Sequence, residues 1–218
     1  MFGDEMLIAR SRMVERLRQH YKIQDEKVLM AMNTVPRHLF VPEALQSNAY
    51  GDHALPIRAN QTISQPFIVA RMTELLEVSA NSKVLEIGAG SGYQSAILAQ
   101  MVHAVYAVER IPELFDEAKK RLQSLNLRRV SLRLDDGTKG WEMYAPYDAI
   151  LVAAGSPEIP LPLLNQLKIG GKLVLPIGDS RDAQKLLRVK RKSETEFTKE
   201  DFGSCLFVPL IGEHGWKN

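Results

Sequence analysis

Residues 84–93 read Val-Leu-Glu-Ile-Gly-Ala-Gly-Ser-Gly-Tyr, an apolar strand that runs straight into alternate glycines at positions 88, 90 and 92. A helix is expected to begin just after the last of them. Glycine suits such a turn, because the backbone bends sharply there and can lie against a ligand with no side chain between them. The segment therefore predicts a nucleotide-type ligand site at the end of a buried strand. The simpler alternative is a glycine turn that only joins a strand to a helix.

Strands and helices alternate on both sides of this turn. Apolar runs predict strands at 83–87, 104–108, 129–134, 147–153 and 172–177. Helical spacing predicts helices between them, at 92–101, 112–125 and 160–168. Such alternation is typical of a doubly wound α/β fold, in which right-handed crossovers place helices on both faces of a mostly parallel sheet.

The flanking segments extend this core into a single domain over residues 1–218. We divide it into N-terminal helices with a long loop (1–80), the α/β core (81–178) and C-terminal strands (179–218). Helices are expected at 5–20, at 25–32 and from Pro66, which suits the first turn of a helix. Alternating patterns at 184–191 and 204–211 predict an antiparallel addition to the sheet, with the basic run 185–192 as a solvated edge strand.

The composition excludes several classes of protein. With 28 Lys and Arg against 26 Asp and Glu, the net charge is +2, so no basic stripe for a nucleic acid is expected. The longest purely apolar run, 149–154, is too short to cross a bilayer, and the first residues lack a hydrophobic signal core. We therefore expect a cytoplasmic protein without a membrane or nucleic-acid partner. We also expect a monomer, because no exposed apolar helix or heptad pattern stands out.

Metal and disulfide chemistry are not expected either. Cys205 is the only cysteine, so it forms no disulfide within the chain, and we place it as a small buried core residue. The five histidines show no metal-ligand spacing. The sequence therefore predicts no metal site.

An acidic residue at the end of the next strand supports a nucleotide-like ligand. Glu109 lies 21 residues after Gly88, where its carboxylate can accept hydrogen bonds from a ribose diol. A solvent-exposed charge at a strand end is the plain alternative. These features fit either a nicotinamide dinucleotide or S-adenosylmethionine.

Three details favour S-adenosylmethionine. The glycines are spaced G-x-G-x-G, whereas dinucleotide sites have G-x-G-x-x-G. Glu86 puts a carboxylate just before the turn, where a cationic amino-acid group could use it. The third strand ends in Asp135-Asp136-Gly137, in position for an adenine ring or its amino group. In addition, none of the six tyrosines is followed four residues later by lysine, so the usual short-chain dehydrogenase pair is absent.

Four segments of the chain resemble those of the protein-L-isoaspartate (D-aspartate) O-methyltransferases in their bacterial form. They are Val-Pro-Arg-His-Leu-Phe-Val-Pro at 35–42, Asn-Gln-Thr-Ile-Ser-Gln-Pro at 60–66, the glycine turn at 84–93, and Gly-Trp-Glu-Met-Tyr-Ala-Pro-Tyr-Asp at 140–148. The first two lie outside the generic cofactor fold, so they indicate this family and not only its superfamily. One departure is Asp135, which stands where the family usually has a glycine before Asp136.

The resemblance covers nearly the whole chain and implies both a fold and a reaction. The fold is a doubly wound, mostly parallel seven-stranded sheet of the class I methyltransferase (Rossmann-like) type, with an antiparallel C-terminal edge and N-terminal helices. The reaction transfers a methyl group from S-adenosylmethionine to the free carboxylate of L-isoaspartyl residues in damaged proteins and peptides. The ester then collapses to a succinimide, whose hydrolysis partly restores aspartate. Because the carboxylate is already ionised at neutral pH, no general base and no metal are needed.

The resemblance also assigns site residues. Ser64 matches the active-site serine, whose hydroxyl would hold one oxygen of the substrate carboxylate. A serine two residues before a helix-opening proline is also a plausible helix cap, and the two roles can coexist. The residues expected to bind the cofactor are Thr62, Ile63, Glu86, Gly88, Ala89, Gly90, Gly92, Glu109, Arg110, Asp136 and Gly137. Those expected to bind the substrate, besides Ser64, are Ala154, Val208, Pro209 and Leu210.

Three other interpretations stay open. The chain could be a different S-adenosylmethionine-dependent O-methyltransferase. Amino-group methylation is disfavoured, because the fourth strand ends in Val-Ala-Ala-Gly at 152–155 and lacks an Asn-Pro-Pro-Tyr-like motif. The chain could also be a relative that binds the cofactor without catalysis, against which the intact glycines, Glu109 and Ser64 argue. A dehydrogenase comes third, and a comparison of cofactor binding separates it from the others.

Overall fold

The computed structural model describes residues 2–180 and 182–217. The helices are α1 (Phe2–Gln19), α2 (Glu26–Thr34), α3 (Pro66–Leu76), α4 (Tyr93–Met101), α5 (Pro112–Ser124) and α6 (Leu161–Gln166). The strands are β1 (Leu55–Pro56), β2 (Thr62–Ile63), β3 (Lys83–Ile87), β4 (Ala104–Glu109), β5 (Val130–Leu134), β6 (Tyr147–Val152), β7 (Leu167–Ser180), β8 (Ala183–Arg191) and β9 (Phe197–Cys205). Short 3-10 turns lie at Arg37–Phe40, Glu43–Asn48, Gly137–Lys139 and Glu142–Tyr144.

Strands β3 to β9 form one seven-stranded sheet in the order β5-β4-β3-β6-β7-β8-β9, while β1 and β2 form a separate hairpin. The strands from β3 to β7 are parallel, and β8 and β9 continue antiparallel. The chain starts in the centre with β3, builds outwards to β5, and then crosses back to β6 on the other side of β3. A reversal of this kind leaves a crevice at the carboxyl ends of the central strands, where ligands bind in open α/β sheets. The predicted fold class is confirmed.

Apolar side chains cover both faces of the sheet. One cluster joins the central strands to α1, α2, α3 and α4, and the other joins them to α6 and the segments around it. Val84 and Leu85 belong to different clusters, and both are completely buried. Successive residues of a strand point to opposite faces, so a strand covered on both sides is apolar throughout. Glu86 is the one polar residue of β3 that is fully buried, and Lys83 at the start of the strand is half-buried.

The predicted helices of the N-terminal part are confirmed. Asp25 caps α2, because its carboxylate accepts a hydrogen bond from the Lys27 backbone N–H at 2.8 Å. Pro66 opens α3, and Glu77 ends that helix in the left-handed conformation with φ of 49°. These helices pack on one face of the sheet and bring the loop between Ala49 and Pro66 to the carboxyl ends of the strands.

Two expectations for the C-terminal strands are wrong. The last strand was expected at 204–211, but β9 spans Phe197–Cys205 and thus includes the charged segment that we took for a connection. The basic run 185–192 is also not the sheet edge, because β8 lies between β7 and β9. The physical reason is that β9 itself is the edge: none of its residues is buried, so its sequence needs no apolar alternation.

Smaller details also differ from expectation. The helix predicted to end at residue 168 stops at Gln166, because Leu167 already pairs with Tyr147 in the sheet. Cys205 is half-buried and not fully buried, although burial raises the pKa of its thiol to about 11. Within residues 2–180 and 182–217, no helix combines the length and the apolar character that crossing a membrane requires.

Candidate active site

The glycine turn between β3 and α4 forms the floor of the site. Gly88, Gly90 and Gly92 have φ angles of 85°, 53° and 86°, a region that side chains with a Cβ rarely adopt. A Cβ on Gly92 would lie 3.4 Å from Ala118 and Leu122 of α5, so this glycine also permits close packing beneath the turn. The sequence prediction of a strand, a glycine turn and a helix is confirmed at this point.

Glu109 fastens the turn to the neighbouring strand. Its Oε2 accepts a hydrogen bond from Gly90 N at 2.8 Å, and its Oε1 accepts one from Ile111 N at 2.9 Å. The side chain is 4% exposed and lines the cleft. A carboxylate offers about four acceptor positions, so two remain for the hydroxyl groups of a ribose. Glu109 is therefore not the solvent-exposed charge that the plainer interpretation expected.

Glu86 lies beneath the turn and is fully buried. Its Oε2 accepts a hydrogen bond from Ser95 Oγ at 2.5 Å, whereas its Oε1 has no hydrogen-bond partner in the described part of the chain. Burial raises the pKa of this carboxyl to about 8, and the charge of Glu109 adds a smaller increase. The hydrogen bond from Ser95 acts in the opposite direction and lowers the pKa. A buried carboxyl with an unused oxygen fits a cationic ligand group near the turn.

A cleft with an empty volume of about 700 Å³ opens at the carboxyl ends of the strands, above the glycine turn. Ten predicted residues line it: Thr62, Gly88, Gly90, Glu109, Arg110, Gly137, Ala154, Val208, Pro209 and Leu210. Its remaining walls were not predicted and are mostly apolar: Gln61, Ile87, Val108, Ile111, Leu114, Ala153 and Ile211. Ile87, Val108 and Ala153 lie at or just beyond strand ends, so a rule that ligands meet strand ends could have identified them.

A smaller pocket of about 450 Å³ adjoins this cleft, and we call it the Ser64 pocket. It shares four wall residues with the cleft: Thr62, Gly88, Gly90 and Ala153. Its other walls are Ile63, Ser64, Ile68, Val69, Met72, Ala89, Ser91, Tyr93 and Gln94. The predicted residues Ile63, Ser64 and Ala89 are thus brought to the same place, whereas Glu86, Gly92 and Asp136 line neither space.

Ser64 is not the cap of α3. The capping position belongs to Gln65, whose side chain makes no capping hydrogen bond. Its Nε2 instead donates to Asp52 Oδ1 at 3.0 Å, and Tyr21 Oη donates to Asp52 Oδ2 at 2.5 Å. The Ser64 hydroxyl has no hydrogen-bond partner among residues 2–180 and 182–217, and it faces the Ser64 pocket. The cap hypothesis is therefore wrong, and the hydroxyl is available to a ligand.

Asp136 faces the C-terminal segment and not the cleft. Its Oδ1 accepts hydrogen bonds from Thr138 N at 2.9 Å and from Thr138 Oγ1 at 2.7 Å, and its Oδ2 accepts one from Glu213 N at 2.8 Å. Burial alone would raise the pKa of Asp136, but these hydrogen bonds outweigh it and hold the pKa below its usual value. Only its neighbour Gly137 lines the cleft. The structure therefore does not bring the Asp136 carboxylate to the cleft, where its contact with adenine was predicted.

The segment from Phe207 to Trp216 closes one side of the cleft. Gly155 N donates to Val208 O at 2.8 Å, and Leu210 N donates to Gly155 O at 2.8 Å, so this segment pairs with the chain just beyond β6. Trp216 N then donates to Leu210 O at 2.8 Å. The predicted substrate residues Val208, Pro209 and Leu210 are thereby held over the carboxyl end of the sheet.

The described residues bring no group of three His, Cys, Asp or Glu side chains together as a metal site. The site offers glycine backbone, two carboxylates on adjacent strands, apolar walls and a serine hydroxyl that has no hydrogen-bond partner in the described residues. Residues with these properties fit S-adenosylmethionine: a carboxylate that lines the cleft for the ribose, a buried carboxyl beneath the turn whose charge can act on an amino group above it, and a turn that admits a ligand against its backbone.

The sheet order, the glycine turn and the cleft define a Rossmann-like methyltransferase of class I. The sequence model of the family described as Protein-L-isoaspartate(D-aspartate) O-methyltransferase (PCMT) matches residues 8–215. The chain belongs to this family.

Relatives and solved structures agree with this assignment. The Protein-L-isoaspartate O-methyltransferase of Syntrophus aciditrophicus (strain SB) is 51% identical over 209 residues, which are 95% of each chain. That of Dictyoglomus thermophilum is 53% identical and covers 96% of this chain and 94% of its own. Among solved structures, a protein-L-isoaspartate O-methyltransferase superposes with a TM-score of 0.84 at 28% identity, over 94% of this chain and 67% of that one.

A more distant structure supports the fold alone. A Plasmodium falciparum beta-aspartate methyltransferase (PCMT), solved in complex with S-adenosyl-L-homocysteine, has a TM-score of 0.79 at 24% identity. It covers 93% of this chain and 98% of its own.

Proposed function

We propose that this protein transfers a methyl group from S-adenosylmethionine to the free carboxylate of L-isoaspartyl residues in damaged proteins and peptides. One observation carries this proposal for the site: the free hydroxyl of Ser64 lies in a pocket that shares four wall residues with the cleft above the glycine turn. A methyl acceptor in the Ser64 pocket and a methyl donor in the cleft would therefore be neighbours.

The cleft residues bind the donor in this proposal. S-adenosylmethionine supplies a methyl group that its positively charged sulfur already activates. Glu109 accepts hydrogen bonds from the ribose, and the carboxyl of Glu86 compensates the charge of the amino group. The apolar wall residues Val108, Ile111 and Leu114 meet the flat face of the base, and Thr62 and Ile63 cover the junction with the Ser64 pocket.

This reaction needs little acid–base catalysis from the protein. The substrate carboxylate is ionised at neutral pH, so it is a nucleophile without a general base. Ser64 Oγ–H donates a hydrogen bond to one carboxylate oxygen and turns the other towards the methyl group. Ile68, Val69 and Met72 keep water away from the acceptor. The resulting ester closes to a succinimide when the substrate's own backbone nitrogen attacks the ester carbonyl, and methanol leaves with the proton of that nitrogen.

The remaining assignments are also proposals. Ala154 and the segment Val208-Pro209-Leu210 contact the backbone of the substrate, since they border the cleft where a bound peptide would enter. We further propose a cytoplasmic monomer without a nucleic-acid partner, in keeping with the net charge of +2 and the single cysteine.

The function can be tested with two peptides of the same sequence that differ only in an L-isoaspartyl or L-aspartyl linkage. Each is incubated with the protein and methyl-labelled S-adenosylmethionine, and base-labile label in the peptide is counted. We expect label on the isoaspartyl peptide alone. Label on both peptides, or on neither while the cofactor binds, would overturn the proposed substrate and favour a different methyl acceptor or a non-catalytic role.

A further inference from the structure

Arg37 is a completely buried arginine in the segment at 35–42, which the proposed reaction does not use. Its Nε donates a hydrogen bond to Ala49 O at 2.7 Å, and its Nη2 donates one to Ser64 O at 2.8 Å. These two carbonyls lie immediately before and after the loop at 50–63, which contains β1, β2 and wall residues of the cleft. One guanidinium thus holds both ends of this loop.

No carboxylate among the described residues pairs with the positive charge of Arg37. None of the ion pairs among residues 2–180 and 182–217 includes it, and its Nη1 has no hydrogen-bond partner in the same residues. Its Cζ lies 4.9 Å from the centre of the Tyr93 ring, and Tyr93 lines the Ser64 pocket. The charge therefore contacts two wall residues of this pocket, Tyr93 through its ring and Ser64 through its peptide group.

A buried charge of this kind destabilises the fold unless something offsets it. Burial lowers the pKa of Arg37, with small opposing contributions from Tyr93 and Tyr50. An apolar side chain of similar volume would fill the same space without the cost of removing an ion from water. In a poorly screened interior, however, such a charge attracts an anion placed nearby far more strongly than a surface charge does.

We propose that Arg37 is a positioning residue for the methyl acceptor. Its hydrogen bond holds the Ser64 backbone in place, and its charge makes the Ser64 pocket selective for a carboxylate over a neutral group. The inference rests on the proposed function, since it concerns the acceptor of that reaction. It assigns a role to the segment at 35–42, which contributes no wall residue to the cleft or to the Ser64 pocket.

Two variants separate the two roles. Arg37→Met removes both the charge and the hydrogen-bonding fork. Arg37→Lys keeps the charge, but a single ammonium cannot reproduce the planar fork that reaches Ala49 O and Ser64 O. Arg188→Met is the matched control, because Arg188 is 8% exposed and lies in β8, where it pairs with Glu77 and Glu200 and not with the site.

The readout is binding to the protein loaded with S-adenosyl-L-homocysteine, measured by titration calorimetry. One peptide carries the L-isoaspartyl residue, and the other has its free carboxylate replaced by a carboxamide. We expect the unmodified protein to prefer the carboxylate, and the preference to fall about tenfold in Arg37→Met. Arg37→Lys should keep the preference but lose about tenfold or more in kcat, because Ser64 is less well placed. Arg188→Met should unfold at a lower temperature and keep the preference.

The outcomes distinguish this inference from the proposed function. If the unmodified protein shows no preference for the carboxylate, the proposed acceptor itself is wrong, and the role of Arg37 is wrong with it. If the preference is normal in the unmodified protein and unchanged in Arg37→Met, the charge does not select the acceptor. Should Arg37→Met not fold, Arg37→Gln replaces it as the uncharged variant in the same comparison of carboxylate with carboxamide. In Arg37→Lys, a kcat within twofold of the unmodified protein would overturn the positioning role.

Discussion

Glu86 and Glu109 lie near the ends of neighbouring strands, yet their environments differ. Glu109 accepts two backbone N–H groups and holds the glycine turn. Glu86 receives only the Ser95 hydroxyl and keeps one oxygen without a partner in the described residues. Sequence spacing predicts a carboxylate at both places but not this difference, which depends on which backbone groups the folded turn presents.

The pKa of Glu86 predicts how stability varies with pH. The carboxyl has a pKa of about 8 in the folded protein and about 4.5 in the unfolded chain. Below pH 4.5 it is protonated in both states and does not lower the free energy of unfolding. Between pH 4.5 and 8 the unfolded chain loses the proton first, so the fold loses stability as the pH rises. Glu86→Gln, which stays neutral, should therefore be more stable than the unmodified protein by on the order of 5 kcal/mol at pH 8.5 and no more stable at pH 4.

Urea unfolding of the cofactor-free protein at the two pH values measures this difference. Glu142→Gln is the control, because Glu142 is exposed. Calorimetry in buffers of different ionisation enthalpy gives a second readout. At pH 7 the unmodified protein should release a proton when S-adenosylmethionine binds, and Glu86→Gln should not. Equal proton release by both proteins would contradict the assignment of Glu86 to the amino group.

Ser64 gives the third prediction at this scale. A hydrogen bond to a charged group contributes about 1.5–3 kcal/mol, so Ser64→Ala should lose about 10- to 100-fold in kcat/KM for the isoaspartyl peptide. Much of the loss should be in KM, because the carboxylate loses its charge as the new bond forms. Cofactor affinity and thermal stability should stay unchanged, since the hydroxyl has no partner within the described residues.

The exposed Ser47→Ala serves as the control for Ser64→Ala. A normal kcat/KM in Ser64→Ala would show that Ser64 takes no part in the reaction.

From the sequence alone, Ser64 could be either a helix cap or an active-site residue, because both fit a position before Pro66. The backbone decided between them by placing Gln65 at the cap. The role of Arg37 had no sequence signal, since nothing in a single chain indicates that residues 37 and 64 meet.

At the scale of whole elements, the C-terminal segment depends on a glycine for its contact with the turn at Gly137–Lys139. A Cβ on Gly212 would lie 2.1 Å from Asp136 Oδ1 and 2.7 Å from Thr138 Cγ2. Gly212→Ala must therefore move the segment away from the cleft that Leu210 and Ile211 line. A displacement of about 1 Å can cost on the order of 100-fold in rate, so we expect a loss of about 10- to 100-fold in kcat/KM.

Steady-state kinetics with the isoaspartyl peptide measures this effect. Gly203→Ala in β9 is the control: its φ of 93° strains any other residue, but a Cβ there would meet nothing within 4 Å. It should lower stability and leave kcat/KM nearly unchanged. Comparable kinetic losses in both variants would mean that general stability, and not the position of the segment, limits the reaction.

The same segment marks the limit of prediction for elements. Buried strands and amphipathic helices carry a period that the sequence reveals, and β3, β4 and α5 lie within a few residues of their predicted bounds. No residue of β9 is fully buried, so this strand carries only a weak period. The apolar residues from 206 onwards resemble a strand because they cover the cleft, and ligand walls and sheet faces are apolar for similar reasons.

For the molecule as a whole, the alternation of strands and helices was enough to predict the doubly wound sheet and the end at which ligands bind. The order of the C-terminal strands was not predictable, because antiparallel neighbours need no crossover and can pair on either side. The sequence predicted the glycine and acidic residues of the cleft. Its apolar walls come from four separate parts of the chain, and only the fold brings them together.

The position of β9 has a further consequence for a protein whose substrates are damaged chains. Such chains expose strand-forming segments that can anneal to any open sheet edge and aggregate with it. Lys199, Glu200 and Asp201 put three charges in a row on this edge, and a register shift interrupts the pairing of β8 with β9. Charged and irregular edges are poor templates for another strand. The enzyme can therefore meet partly unfolded polypeptides at its cleft without seeding their aggregation along its sheet.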